Sequence, residues 1–340
     1  MFRVYAFENY IRCFLPKQIN QRLELQMKHK NIAITGGLGF IGSNLAIKLS
    51  ELGASIDIYD INIHQNERVL RELEEIENIQ IHNFDVITDK FEKPADFIFN
   101  LACPASPPLY QKHSLLTLDT CFLGTKAVLN YARECGATVV HASTSEVYGD
   151  PLIHPQTENY YGNVNTLGIR SCYDEGKRIS ETLCFEYALQ FSLDVKIARI
   201  FNTYGPRMSL DDGRVITNFI KSFLRHEEIS IFGKGQQTRS FCFISDLLNG
   251  LIKLAQSDVS VTQPINLGNP SEITIEELVL AFEKITKQQF RKKYYPLPQN
   301  DPMKRQPDIS KARELLGWTP VVDLEAGLRK TLHYNEERNV

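Results

Sequence analysis

Thr35-Gly36-Gly37-Leu38-Gly39-Phe40-Ile41-Gly42 places three glycines, at 36, 39 and 42, in GxxGxxG spacing. The stretch follows an apolar run, Asn31–Thr35, and leads into an amphipathic segment, Phe40–Leu52. Early glycines in such a loop permit a tight turn and close backbone approach to a pyrophosphate. The last one lets the following helix pack against the preceding strand, and the helix start aims unpaired N–H groups at the phosphates. A glycine triplet is weak on its own, and its place between strand and helix is what makes it informative.

Short apolar runs at Ser55–Asp60, Gln80–Asp85, Asp96–Leu101, Thr138–Ser143 and Asp194–Ile200 alternate with helical patterns at Leu116–Cys135 and Tyr173–Phe191. Strands separated by helices of that length predict βαβ units. The expected class is α/β: a doubly wound parallel sheet of the Rossmann kind over residues 28–205, with a smaller mixed α/β substrate domain over 206–340, some of whose segments return to the first domain. After Gly205 the strand-like pieces are shorter (Ile229–Phe232, Phe241–Ile244), and a Pro-rich stretch, Tyr295–Pro307, precedes a helix over Ile309–Leu316 capped by Asp308 and stopped by Gly317.

Composition narrows the function. The 340 residues carry a net charge of −3, so no basic field points to nucleic acid. Seven cysteines lie scattered without CxxC spacing, which predicts reduced thiols in a cytoplasmic protein and neither a disulfide framework nor a zinc cage. Residues 1–27 read as an extension, disordered or not native, with Met27 as the natural start. Their charges and short apolar runs make neither a membrane helix nor a secretory signal.

Three positions then carry chemistry. Asp60 ends the second strand, where a carboxylate accepts from the adenosine ribose hydroxyls and repels a 2′-phosphate; this favours NAD over NADP. Phe84-Asp85-Val86 ends the third strand, placing Asp85 within reach of an adenine edge. Tyr173 and Lys177 stand at i and i+4 of a helix and so share one face. A phenol is a poor base at neutral pH; a lysine one turn away and a positive nicotinamide ring would favour its anion, fitting it to take a proton from a sugar hydroxyl. YxxxK spacing alone also describes an ordinary surface pair. With the glycine loop and the Ser143-Thr144-Ser145 strand end, the chain is identified as a member of the short-chain dehydrogenase/reductase family.

Within that family the strings ITGGLGFIGSNL, LACPASPP, HASTSEVYGDP, GNVNTLGIRSCYDEGKR, FGKGQQTRSFCFISDL and NDPMKRQPDISKARELLGW resemble the UDP-glucuronate decarboxylases, over about residues 30–334. The resemblance implies NAD bound by Gly36, Gly39, Phe40, Ile41, Gly42, Asp60, Asp85, Val86, Leu101, Ala102, Tyr173 and Lys177. It makes Tyr173 the base, Lys177 its partner, and Thr144 the hydroxyl at sugar C4. Ser145 stands where 4,6-dehydratases carry an acid, and Glu146 lies near C5 and the carboxylate, either handling a proton or orienting the acid group. The implied reaction oxidises C4 of UDP-glucuronate, loses carbon dioxide from the resulting β-keto acid, and re-reduces C4 to give UDP-xylose, without a metal. A diphosphate and a carboxylate call for arginine: Asn202, Arg214 and Arg239 are assigned to the nucleotide diphosphate, Arg305 to the carboxylate, and Tyr161 and Asn163 to the sugar pocket. A homodimer built on Leu116–Cys135 and Tyr173–Phe191 is also implied.

Three departures stand out: Cys121 occupies a position the family usually gives to asparagine, the family's HLASPAS string reads Asn100-Leu101-Ala102-Cys103-Pro104-Ala105-Ser106 here, and the loop after Asp60 lacks the usual aromatic, Gly and Lys pattern. The alternatives are another nucleotide-sugar 4-epimerase or 4,6-dehydratase, or a catalytically silent NAD-binding regulator; Ser145 opposes a dehydratase, and the complete Thr144, Tyr173 and Lys177 set opposes a silent protein.

Overall fold

In the computed structural model of the chain, residues 26–61, 67–260, 262–297 and 304–336 are described. Most of the N-terminal extension (residues 1–25), part of the loop after Asp60 and part of the Pro-rich stretch lie outside them.

Six strands, β1 (Asn31–Thr35), β2 (Ser55–Asp60), β3 (Ile79–Asn83), β4 (Phe97–Asn100), β5 (Thr138–Thr144) and β6 (Val195–Ile200), form a sheet with Ile265–Leu267. The order is Ile265–Leu267, β6, β5, β4, β1, β2, β3, every neighbouring pair parallel. This is the doubly wound α/β fold expected from the glycine loop. Successive side chains of a strand point to opposite faces, and the core divides accordingly. Ile32, Ile34, Phe99 and Val140 pack on one side with Leu45 and Leu49, together with Leu247 and Leu251 of helix Ile244–Ala255. Ala33, Ile98, Val139 and Ile197 pack on the other with Val128, Leu129 and Cys184.

Several boundaries differ from the sequence expectation, three of them for a visible reason. β3 stops at Asn83 rather than Asp85, because the Asp85 carboxylate accepts from the Ile87 N–H at 2.9 Å and turns the chain. The segment read as one helix from Leu116 is Ser114–Asp119, a π-helical turn Thr120–Gly124, and Thr125–Cys135. Near the C-terminus the helix runs Ser310–Leu316 with Ile309 at its N-cap, while Asp308 Oδ1 accepts from the Ser310 N–H at 2.7 Å.

Beyond β6, Ile229–Phe232 pairs with Lys292–Tyr295 and Thr238–Ser240 with Glu272–Thr274. The return of Ile265–Leu267 to the sheet matters for the site, because Asn266 becomes a junction. Its side-chain amide donates to the carbonyls of Gln156 and Asp308, each at 3.0 Å, and its Oδ1 accepts from the Tyr148 hydroxyl at 2.7 Å. Among the described residues no helix is long and apolar enough to cross a membrane.

Candidate active site

The glycine loop sits where β1 meets helix Phe40–Glu51, at the C-terminal edge of the sheet. Gly36 holds φ +68°, and a Cβ there would lie 2.8 Å from the Ala102 backbone. A Cβ on Gly42 would lie 2.4 Å from the Gly36 carbonyl oxygen. Both glycines are therefore required by close backbone packing. The helix N-cap, Gly39, has no side-chain cap bond and the first turn holds no acid, so its N–H groups and positive end suit an anion. Asp60, buried at the end of β2, accepts from the Leu38 N–H at 2.9 Å, so the residue read as the ribose acceptor also pins the loop. Beneath it, Thr35 donates to Asn100, and Asn100 meets His141 Nδ1 at 3.1 Å. This cradle fits a dinucleotide pyrophosphate, with a carboxylate at the adenosine end. Val86 is buried against the position a Gly124 Cβ would take, and Leu101 and Ala102 follow β4 at the loop's side.

The chemical residues converge at the end of β5. Thr144 is the N-cap of a 3-10 turn, Ser145–Tyr148, and its hydroxyl accepts from the Glu146 N–H at 3.3 Å. Tyr173 lies in the first turn of helix Ser171–Phe191, where the Thr144 hydroxyl acts on its phenol. Burial and the nearby Cys103 push that phenol up, against Arg214 and Thr144, which pull it down. Lys177 does share the helix face of Tyr173: its Nζ lies 5.9 Å from the Tyr173 ring centroid and donates to the Ala142 carbonyl at 2.8 Å. In the chain alone, then, Tyr173 is held neutral, and a positive charge at the nicotinamide position is what would favour its anion.

Glu146 is gripped from two sides. Arg170 donates to its Oε2 at 2.6 Å and Arg305 to the same oxygen at 3.2 Å. Burial alone would raise the carboxyl, but Arg305 and Arg170 outweigh it and bring it down to about 2. Arg305 is 2% exposed and also donates to the Ser145 carbonyl. Its segment is anchored by Gln156, whose Oε1 accepts from Gln306 N–H and whose carbonyl accepts from Asp308 N–H. Glu146, Asn163, Arg170, Ser171, Asp174 and Arg305 line a cavity of about 110 Å³.

Of the residues assigned from sequence, Thr144, Ser145, Glu146, Tyr173, Lys177 and Arg305 come together here. Asn163 lines the cavity, with its side chain donating to the Asp150 carbonyl at 3.1 Å. Arg214 acts electrostatically on Tyr173, and Arg239 on Glu146. Arg214 also donates to the Ala105 carbonyl at 2.7 Å and pairs with Asp212 at 2.9 Å. Asn202 is half-buried directly after β6. Tyr161 is 88% exposed, on a loop tied down through its own backbone carbonyl, which accepts from Arg178 at 2.7 Å.

Sequence reading missed Arg170, Asp174 and Tyr110. Only Arg170 left a trace, as a basic residue at the wrong end of a helix for its dipole. The Cys121 position is also explained. Its carbonyl, in the π turn, accepts from the Ser180 hydroxyl at 2.8 Å, and its sulfur lies 3.0 Å from where a Gly176 Cβ would be. A thiol fits the tight approach of the two helices. Among the described residues no group of three or more His, Cys, Asp or Glu is placed to hold a metal ion.

Comparison with known proteins follows the same lines. Residues 32–268 match the model of the NAD dependent epimerase/dehydratase family. The chain is 44% identical to UDP-glucuronic acid decarboxylase 1 of Xenopus tropicalis over 327 residues, 96% of this chain and 77% of that protein. It is 46% identical to UDP-glucuronic acid decarboxylase 6 of Arabidopsis thaliana, over 87% of this chain and 86% of that one. Among solved structures, UDP-glucuronic acid 4-epimerase from Bacillus cereus, in complex with UDP-glucuronic acid and NAD, superposes with a TM-score of 0.83 at 26% identity, covering 91% of this chain and 99% of that one.

Proposed function

The chain belongs to the NAD dependent epimerase/dehydratase family, and from that premise we propose that it converts UDP-glucuronate to UDP-xylose and carbon dioxide. The observation that carries the reading is the buried Arg305, set with Arg170 and Glu146 beside Thr144 and Tyr173. A redox site for a sugar hydroxyl thereby adjoins a cationic site for a carboxylate. The 44–46% identity to named UDP-glucuronic acid decarboxylases supports the same reaction.

NAD, when bound, supplies the redox chemistry by accepting a hydride from C4 of the sugar and later returning it. The backbone of Gly36, Gly39, Phe40, Ile41 and Gly42 would hold its pyrophosphate and Asp60 its adenosine ribose. Thr144 orients the C4 hydroxyl, and Tyr173 Oη takes its proton. Once C4 is a ketone, the C6 carboxylate belongs to a β-keto acid, and the C5–C6 electron pair can pass onto O4 as carbon dioxide leaves. Arg305 keeps the carboxylate aligned until then. Tyr173 finally returns its proton to O4. Arg214, Arg239 and Asn202 are the chain's groups for the nucleotide diphosphate.

The same proposal includes a homodimer and a cytoplasmic location. Leu116, Leu118, Phe122, Leu123, Ile179 and Leu189 leave large apolar side chains exposed on the two helical segments named for the interface, and such a patch is suited to bury against a second copy. Six described cysteines are free thiols, as suits a reducing compartment.

The test is incubation with UDP-glucuronate, with and without added NAD, followed by measurement of carbon dioxide and NMR of the nucleotide sugars. UDP-xylose without net NADH is the expected result. UDP-galacturonate without carbon dioxide would replace the decarboxylase with a 4-epimerase.

A further inference from the structure

Replacing a carboxylate by hydrogen consumes a proton that no substrate atom supplies. At C5 the bond to C6 breaks, its electron pair passes into the C4–O4 enolate, and the same pair then forms a C5–H bond. Tyr173 takes its proton from O4 and gives it back to O4, so it contributes no net proton. Resting on the decarboxylase reading, the question is which side chain holds the proton that enters once per turnover.

Glu146 is ill suited. Both guanidiniums donate to its Oε2, and an anion so paired accepts protons poorly and has none to give. The arginines keep their charge. Asp174 is different: it is 7% exposed, lines the same cavity, and its Oδ1 is buried with no hydrogen-bond partner. Its place in the first turn of helix Ser171–Phe191 should favour the anion, yet no N–H group reaches that oxygen. On the helix it is displaced about 100° from Tyr173, toward the Glu146 and Arg305 end of the site.

We propose that Asp174 is the acid of this cavity, holding the proton that goes to C5 and regaining it from solvent after each turnover. Its surroundings act in that sense. Burial, reinforced by the negative Glu146 of the 3-10 turn, pushes the Asp174 carboxyl up to about 7, against Arg170 at the helix start and Arg305 of the C-terminal segment. Glu175 pushes the same way; the Tyr110 phenol and the Cys172 thiol, also in its field, are both raised and neutral near pH 7. In the step itself the Asp174 O–H bond breaks, the C5–H bond forms, and a buried carboxylate is left that recovers a proton near neutral pH.

The experiment compares the NAD-loaded wild-type protein with Asp174→Asn and Asp174→Glu, mixing each with UDP-glucuronate. Wild-type decarboxylation establishes the premise; its absence would overturn the proposed function and this assignment with it. With the premise met, D174N is expected to keep rapid NADH formation on mixing while UDP-xylose formation falls by about 100-fold, the loss of a general acid. Wild-type kcat should decline above neutral pH, D174N should lose that decline, and D174E should recover most of the rate. A D174N rate within about threefold of wild type, or NADH formation reduced in the same proportion as product, would overturn the assignment. Should D174N not fold, the wild-type profile decides: a kcat that does not fall between about pH 6 and 9 excludes an acid of this kind.

Discussion

The rings of Tyr110 and Tyr173 lie face to face, centroids 5.0 Å apart and planes 8° apart. Tyr110 is 1% exposed and its hydroxyl has no partner, so the ring, not the oxygen, braces the base. Tyr110→Phe should leave kcat and stability nearly unchanged, since it deletes an unsatisfied group. Tyr110→Ala should cost about 3 kcal/mol through the cavity it leaves. It should also lower kcat about tenfold by letting Tyr173 tilt. Thermal unfolding and steady-state kinetics on the pair check this.

Tyr173→Phe removes the hydroxyl assigned to exchange a proton with O4. We expect kcat to fall by about 10³-fold, with NAD affinity kept, as measured by fluorescence quenching and turnover.

The Glu146 carboxyl, at about 2 in the fold against 4.5 ordinarily, makes stability depend on acid. Between those values the unfolded chain binds more protons, so this contribution is complete above about pH 5 and is lost as pH falls toward 2. Glu146→Gln should flatten the acid limb of a stability–pH curve obtained by denaturant titration. Arg305→Met should lower stability at neutral pH by about 3 kcal/mol, because a buried anion loses one of the two cations that donate to it.

Asp60→Ala removes both the ribose acceptor and the anchor of Leu38. NAD binding should weaken by about 2 kcal/mol, the scale of a hydrogen bond to a charged group. Discrimination against NADP should shrink, which calorimetry with both cofactors will read.

Phe122→Arg places a charge within the exposed apolar helical surface. Sedimentation should find a dimer for the wild type and a monomer for the variant at the same concentration.

Much of this was legible in the sequence for identifiable reasons. Gly36 and Gly42 are recognisable because backbone packing tolerates nothing else there, and β1 and β2 because their side chains alternate between two cores. Tyr173 and Lys177 announce each other by local spacing. Arg170 and Asp174 could not be read this way. Their roles depend on burial and on partners distant in the chain: Glu146 lies 24 residues before Arg170, and 159 separate it from Arg305. Tyr161 was assigned through the resemblance alone, and only the path of the loop sets its exposure. The π turn escaped notice because periodicity assumes 3.6 residues per turn throughout.

That turn sets a phase. Each residue advances a helix by about 100°, so the extra residue accommodated within Thr120–Gly124 rotates Leu115, Leu116 and Leu118 relative to Val128 and Leu129. The first group faces outward and the second inward. Deleting one residue from those five would restore a regular spiral but swing one group out of alignment with its surface. An outer face and an inner core are thus timed against each other by a single turn, and neither can drift in length without re-aiming the other.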